Sequence, residues 1–256
     1  MKTIGGAIAA GLLAIVCAPE AHANIERPGS KSVLEGEFFK NPLELPFIKD
    51  SITKAEISLE NLLGRAQATG SEIDLSTNLL IEKCNKFLML DSDQKKAIAK
   101  RAVYFSNKVS AKGFIEDAIK LIDYAMDLNP GNPRYMGNKA LLLSIVGSYP
   151  LAHKYIREAL KIDPNKATRS HYYNIMGMIY AGEKKIEDAQ KAYSESLKYG
   201  PRNGYSHLAL GDIFRAKNMP DKARGHYMKA IEYLSGDLKV RAVKSLMEMT
   251  KPDIKK

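Results

Sequence analysis

Downstream of about residue 99 the chain reads as short segments with one apolar face, separated by tight breaks, and the pattern repeats. Tyr173, Met176, Gly177, Tyr180, Ala189, Tyr193, Leu197 and Pro201 are followed 34 residues later by His207, Leu210, Gly211, Phe214, Ala223, Tyr227, Ile231 and Ser235. Subtracting 37 residues from Ala189, Tyr193, Ser196, Leu197 and Pro201 gives Ala152, Ile156, Ala159, Leu160 and Pro164. A further step of 34 gives Ala118, Ile122, Ala125, Met126 and Pro130. Four units follow, over 99–132, 133–166, 170–203 and 204–236, each predicted to be two amphipathic helices joined by a tight turn.

The spacing has a steric reason. Gly177, Gly211 and the matching Ala140 must be small because the paired helix passes close there. Ala118, Ala152, Ala189 and Ala223 serve the same contact from the second helix, and Ile122, Ile156, Tyr193 and Tyr227 fill the space four residues on. Pro130, Pro164 and Pro201 end the second helices, since proline lacks the N–H and clashes with the preceding turn. The three extra residues of the 37-residue step fall around Ala167, Thr168 and Arg169, between units. Small, aromatic and proline positions in this register resemble the tetratricopeptide repeat. Ser106, where glycine is usual, and Lys139, where an apolar residue is expected, depart from that pattern. The resemblance implies an all-α fold, a right-handed α-solenoid of helical hairpins with capping helices, because one hairpin cannot bury its apolar face alone.

The remainder fits around this array. Residues 24–50 carry Pro28, Pro42, Pro46, Gly29 and Gly36 and read as an irregular lead segment with Val33, Leu34, Phe38 and Phe39 as docking residues. Residues 51–98 form an N-terminal hairpin, a cap or decayed repeat. Its first helix should start after Ser51 or Thr53 and run through Leu63, Gly70 and Ser71 should break it, and its second should cover about 73–90. Residues 237–250 form a capping helix that buries Val240, Val243, Leu246 and Met249 and turns Lys239, Arg241 and Lys244 outward. A loose tail, 251–256, follows.

The first residues change the expected location. Lys2, the apolar run Ile4–Ala18 and the small-residue site Ala21-His22-Ala23 form a secretory signal with cleavage before Asn24. That run is shorter than the roughly 20 residues a spanning helix needs. Val16 beside Cys17 argues against lipidation. The protein is therefore expected in the periplasm or beyond. Cleavage leaves Cys84 as the one cysteine, so no internal disulfide can form, and it reads as a small core residue. The formal net charge is +10, with the basic residues spread along helices. That charge suits an anionic membrane surface or glycan as an alternative partner. Nucleic acid is not expected, because no binding motif accompanies it.

No catalytic pattern emerges. His153, His171, His207 and His226 show no metal-ligand spacing, and no nucleophile elbow, phosphate loop or dinucleotide loop occurs, so neither cofactor nor metal is expected. The resemblance instead implies a concave groove lined by the second, fifth, ninth and twelfth residues of each first helix. These are Lys100, Val103, Asn107 and Ser110; Arg134, Gly137, Leu141 and Ser144; His171, Asn174, Met178 and Ala181; and Tyr205, Leu208, Asp212 and Arg215. Asn107 and Asn138 match the two asparagines of the clamp with which co-chaperone repeats hold acidic tails. Its three cationic positions are Val103, His171 and Ile175, so the clamp is absent. The expectation is a non-enzymatic adaptor holding an extended peptide, with Asn174 at its centre and Arg134 and Arg215 flanking it.

Overall fold

The computed structural model describes residues 45–65, 67–85 and 92–250. The expected signal sequence, most of the expected lead segment and the expected tail lie outside them. The chain is all-α, with eleven helices among the described residues: α1 Leu45–Gly64, α2 Gly70–Asn85, α3 Ser92–Ala111, α4 Ile115–Leu128, α5 Pro133–Ile145, α6 Tyr149–Ile162, α7 Lys166–Gly182, α8 Ile186–Tyr199, α9 Gly204–Ala216, α10 Pro220–Tyr233 and α11 Gly236–Thr250. None is long and apolar enough to cross a membrane. The helices divide between two compact units, residues 22–135 and residues 136 onward.

In the first unit α1 pairs with α2, α3 pairs with α4, and α2 also packs on α4. The α1 helix starts well before Ser51, and Gly70 opens α2 instead of breaking the hairpin. The start of α2 is fixed by Thr69, whose hydroxyl accepts from the Glu72 N–H at 3.3 Å while Glu72 accepts from the Thr69 N–H at 2.9 Å. This reciprocal pairing satisfies two N–H groups that have no partner within the helix. Arg101 clasps the buried Glu56 carboxylate with two bonds, at 2.8 and 2.5 Å, which ties α3 to α1. A charge held in this way needs both bonds, since burying it unpaired would be costly. Ser106 keeps its small-residue slot by donating to the Ala118 carbonyl at 2.8 Å, so the polar replacement is satisfied within the hairpin. Cys84 is buried, and burial pushes its thiol pKa up to about 12. A reactive thiolate is therefore disfavoured, and the core reading holds.

The second unit takes α5 from Met136 and contains α6 to α11. The hairpins α7–α8 and α9–α10 are tightly paired, and α6 with α7, α8 with α9 and α10 with α11 make the contacts between hairpins. Ala152, Ala189 and Ala223 are fully buried, beside the equally buried Ile156, Tyr193 and Tyr227. The second helices stop at Ile162 and Tyr199, two residues before Pro164 and Pro201. The three inserted residues, expected between repeats, instead extend α7 at its start. That helix has 17 residues where α9 has 13. Asn165 stabilises the added turn by accepting from the N–H groups of Ala167 and Thr168 at 2.9 and 3.4 Å. Lys139 donates to the Tyr155 hydroxyl at 3.0 Å and lies over that ring, which is how a lysine fits an apolar slot.

Candidate partner-binding surface

The first helices of the second unit carry most of the residues predicted to line a groove, and the structure separates them sharply. Asn138, Asn174, Met178 and Leu208 are buried, whereas His171, Tyr205 and Asp212 are partly accessible and Arg215 is exposed. In the first unit Lys100 and Arg134 are exposed and Asn107 is half-buried. Gly137 is also no lining residue, because a Cβ there would lie 2.7 Å from the Tyr172 ring.

Asn174 does not offer its amide to a partner. It is 4 % exposed and belongs to a polar network that joins α7, α8 and the start of α9. Ser170 Oγ donates to the Ser196 carbonyl at 2.9 Å, and Ser196 Oγ donates to the Ser170 carbonyl at 2.7 Å. Asn203 Nδ2 reaches both hydroxyls, at 3.2 and 3.1 Å, and its Oδ1 accepts from the Ser206 N–H, capping α9. The Ser206 hydroxyl lies 3.0 Å from Asn174 Oδ1 and 2.7 Å from Ser196 Oγ, with one proton for the two. Ser170, Asn203 and Ser206 escaped the sequence analysis, and Ser196 entered it only as a landmark of the repeat. The signal was present, since Ser170 and Ser196 stand where neighbouring units leave room only for small side chains. A buried network this well satisfied rigidifies the junction between hairpins.

Asp212 and Arg215 are engaged by α11. Asp212 Oδ1 accepts from the Tyr227 hydroxyl at 2.7 Å, and its other oxygen pairs with Arg241. Arg215 lies 3.2 Å from Glu248. The sequence pattern alone turns Arg241 outward. In the structure it turns inward, because Asp212 would otherwise stand half-buried without a counter-charge. Leu238, Ala242 and Ser245 are the buried face of α11, and Val240 and Val243, expected to pack, remain exposed.

A second cluster sits where α9 meets α10. His207 Nε2 is 3.0 Å from the Pro201 carbonyl, and His207 Nδ1 is 3.0 Å from His226 Nδ1. A carbonyl can only accept, so the His207 proton is on Nε2 and its Nδ1 is an acceptor. His226 must then donate from Nδ1. The ring of His226 stacks on Phe214 with centroids 5.3 Å apart. Burial, the neighbouring His207 and the Lys229 charge lower the His226 pKa to about 4, and burial lowers that of His207. Both rings are therefore neutral packing groups at neutral pH. Among the described residues no three potential metal ligands come together.

Known proteins agree with this architecture. Residues 176–237 match the tetratricopeptide repeat family. The chain is 28 % identical over 112 residues to small glutamine-rich tetratricopeptide repeat-containing protein 2 of Mycosarcoma maydis, a match covering 44 % of this chain and 31 % of that one. It is 30 % identical over 98 residues to protein O-mannosyl-transferase TMTC3 of Homo sapiens, covering 38 % and 10 %. The chain thus spans under a third of the length of these relatives. Among solved structures, the thermophilic repeat protein TTC0263 of Thermus thermophilus is similar with a TM-score of 0.52 at 15 % identity, covering 78 % of this chain and 99 % of that one. The hairpin spacing, the small-residue contacts and these likenesses agree: residues 176–237 carry tetratricopeptide repeats, and the helices around them share that fold.

Proposed function

We propose that this protein is an exported, non-enzymatic adaptor that holds an extended segment of another envelope or secreted protein against the first helices of its repeats and so assists assembly of a complex. Repeats of this kind serve protein–protein interaction in general, since stacking leaves a long accessible surface and a core that contributes only stability. One observation carries the finer reading. On α7 and α9 the buried positions are taken up by packing and by the serine–asparagine network, while His171, Tyr205 and Arg215 stay accessible on the first helices. An imidazole, a phenol and a guanidinium suit the carbonyls and carboxylates of an extended peptide. Export rests on the apolar run and the Ala21-His22-Ala23 site.

Crosslinking capture by the protein in its own cells tests the reading. The triple variant His171→Ala, Tyr205→Ala, Arg215→Ala should lose at least tenfold in captured partner while its melting curve stays within a few degrees. Undiminished capture would move the partner off this surface. Mass spectrometry of the protein from its envelope should find Asn24 as the first residue, and an intact Met1 would remove the export claim.

A further inference from the structure

The formal charge of the chain is divided very unevenly. Residues 22–135 carry 16 Lys and Arg against 16 Asp and Glu, whereas residues 136–256 carry 22 against 12. The entire +10 belongs to the second unit. Charge separated in this way between compact units marks a surface for an anionic partner.

Helix α11 adds an apolar element to that charge. Its inner face packs through Leu238, Ala242 and Ser245. Its outer face shows Val240 66 %, Val243 36 % and Met247 60 % exposed. Positions 240, 243 and 247 fall on one stripe of a helix. Lys239 and Lys244, both exposed, lie on opposite sides of that stripe. Of the two acidic residues near it, Glu248 is paired with Arg215 and Asp237 sits in the first turn.

We infer that α11 is a membrane-surface docking helix, which lies along an anionic phospholipid bilayer with Val240, Val243 and Met247 in the head-group boundary and Lys239 and Lys244 on the phosphates. The inference meets the peptide surface on α7 and α9 at one residue, Arg215, which pairs with Glu248 beside the stripe and which none of the variants below alters. Three observations favour a bilayer over other occupants. A second copy docking through the same face would bring two strongly basic units together, which like-charge repulsion opposes. The stripe has no aromatic residue or arginine, the types that anchor protein interfaces, and lysine is depleted from such interfaces. Lysines bordering an aliphatic stripe suit an interfacial helix, where the butyl stems lie in the apolar layer and the ammonium groups reach the phosphates. At 15 residues, α11 is too short to span and would lie in the plane of the surface.

The test is co-sedimentation of the full chain with vesicles of phosphatidylcholine alone and of phosphatidylcholine with phosphatidylglycerol, the N-terminal residues being identical in every variant. The unmodified protein should partition at least tenfold more onto the anionic vesicles, and added salt should weaken that preference. Val240→Ser, Val243→Ser, Met247→Ser should cut anionic partitioning about tenfold with an unchanged melting curve. Lys239→Glu, Lys244→Glu should do the same, which keeps the inference testable should the serine variant fold poorly. The control Lys154→Glu, Lys191→Glu makes the same charge change on α6 and α8 and should cost less than threefold. Equal partitioning onto neutral vesicles, an equal effect of the control, or indifference to the stripe variants would overturn the inference. So would loss of a crosslinked protein partner on altering the stripe with vesicle binding unchanged, since that would make the face a protein interface.

Discussion

A Cβ built on Gly177 would lie 2.6 Å from Cδ1 and Cε1 of Tyr193 on the paired helix. The same relationship recurs one repeat later, where a Cβ on Gly211 would lie 2.7 Å from the same two atoms of Tyr227. Tyr193 is only 1 % exposed, so its ring has nowhere to move. Each glycine is therefore required by contact, and its backbone stays in the ordinary helical region.

Gly177→Leu should overpack the α7–α8 hairpin, at a cost of about 1–3 kcal/mol. Even Gly177→Ala should lower the melting temperature. Gly225 provides the contrast, since nothing lies within 4 Å of a Cβ built there. Gly225→Ala, inside α10, should be neutral or stabilise by about 0.5–1 kcal/mol through helix propensity alone. Thermal melts of the three variants check the ordering, and an unchanged Gly177→Leu would contradict the packing described.

The two tyrosines should respond differently to losing their hydroxyl. Tyr227 donates to Asp212 at 2.7 Å. Tyr193 is buried with no hydrogen-bond partner for its hydroxyl, and Met178 stands one repeat before Asp212, where the matching acceptor would be. Tyr227→Phe should cost about 1 kcal/mol or more, because it leaves a carboxylate oxygen short of a donor. Tyr193→Phe should be neutral or stabilising, since it removes an unsatisfied buried group. Denaturant unfolding would measure both, and a larger loss for Tyr193→Phe would contradict the assignment.

Asn174→Ala is predicted to act on the fold. Removing Oδ1 leaves the Ser206 proton with Ser196 alone, and the cavity opens beside four other polar side chains. A loss of about 1–3 kcal/mol follows for a network this buried. Any loss of partner capture should then be restored by lower temperature. Reduced capture at full stability would return Asn174 to the binding surface.

The histidine pair sets a pH response. In the folded protein both rings have lowered pKa values, near 4 for His226, whereas the unfolded rings titrate near 6.5. The unfolded state therefore binds more protons below pH 6.5, so stability falls from there down to about pH 4 and levels off beneath it. Around the pair, Lys229 opposes protonation and Glu232 favours it at His207, while Phe214, Tyr233 and the Pro201 carbonyl complete the surroundings. Allowing for the partial exposure of His226, its share should be on the order of 1–2 kcal/mol. His226→Gln should flatten the melting temperature between pH 6.5 and 4.5 relative to the unmodified protein. An identical slope in both would remove His226 as the cause.

The sequence by itself determined the repeat. Its period, the glycine and alanine contacts and the proline stops are all local or periodic, so residue spacing encodes them. Tertiary structure alone decided which polar residues are enclosed and which reach the surface. Asn174 and Arg215 occupy the same kind of first-helix position, yet one is enclosed by serines from its own hairpin and the next, and the other reaches the surface. That difference depends on side chains 22 to 32 residues away in sequence, among them Ser196 and Ser206. Arg241 likewise looks like a surface cation until Asp212 comes beside it. The inserted turn of α7 went to the helix and not to the loop because Asn165 supplies a cap there, a choice between two local structures that only the assembled hairpins resolve.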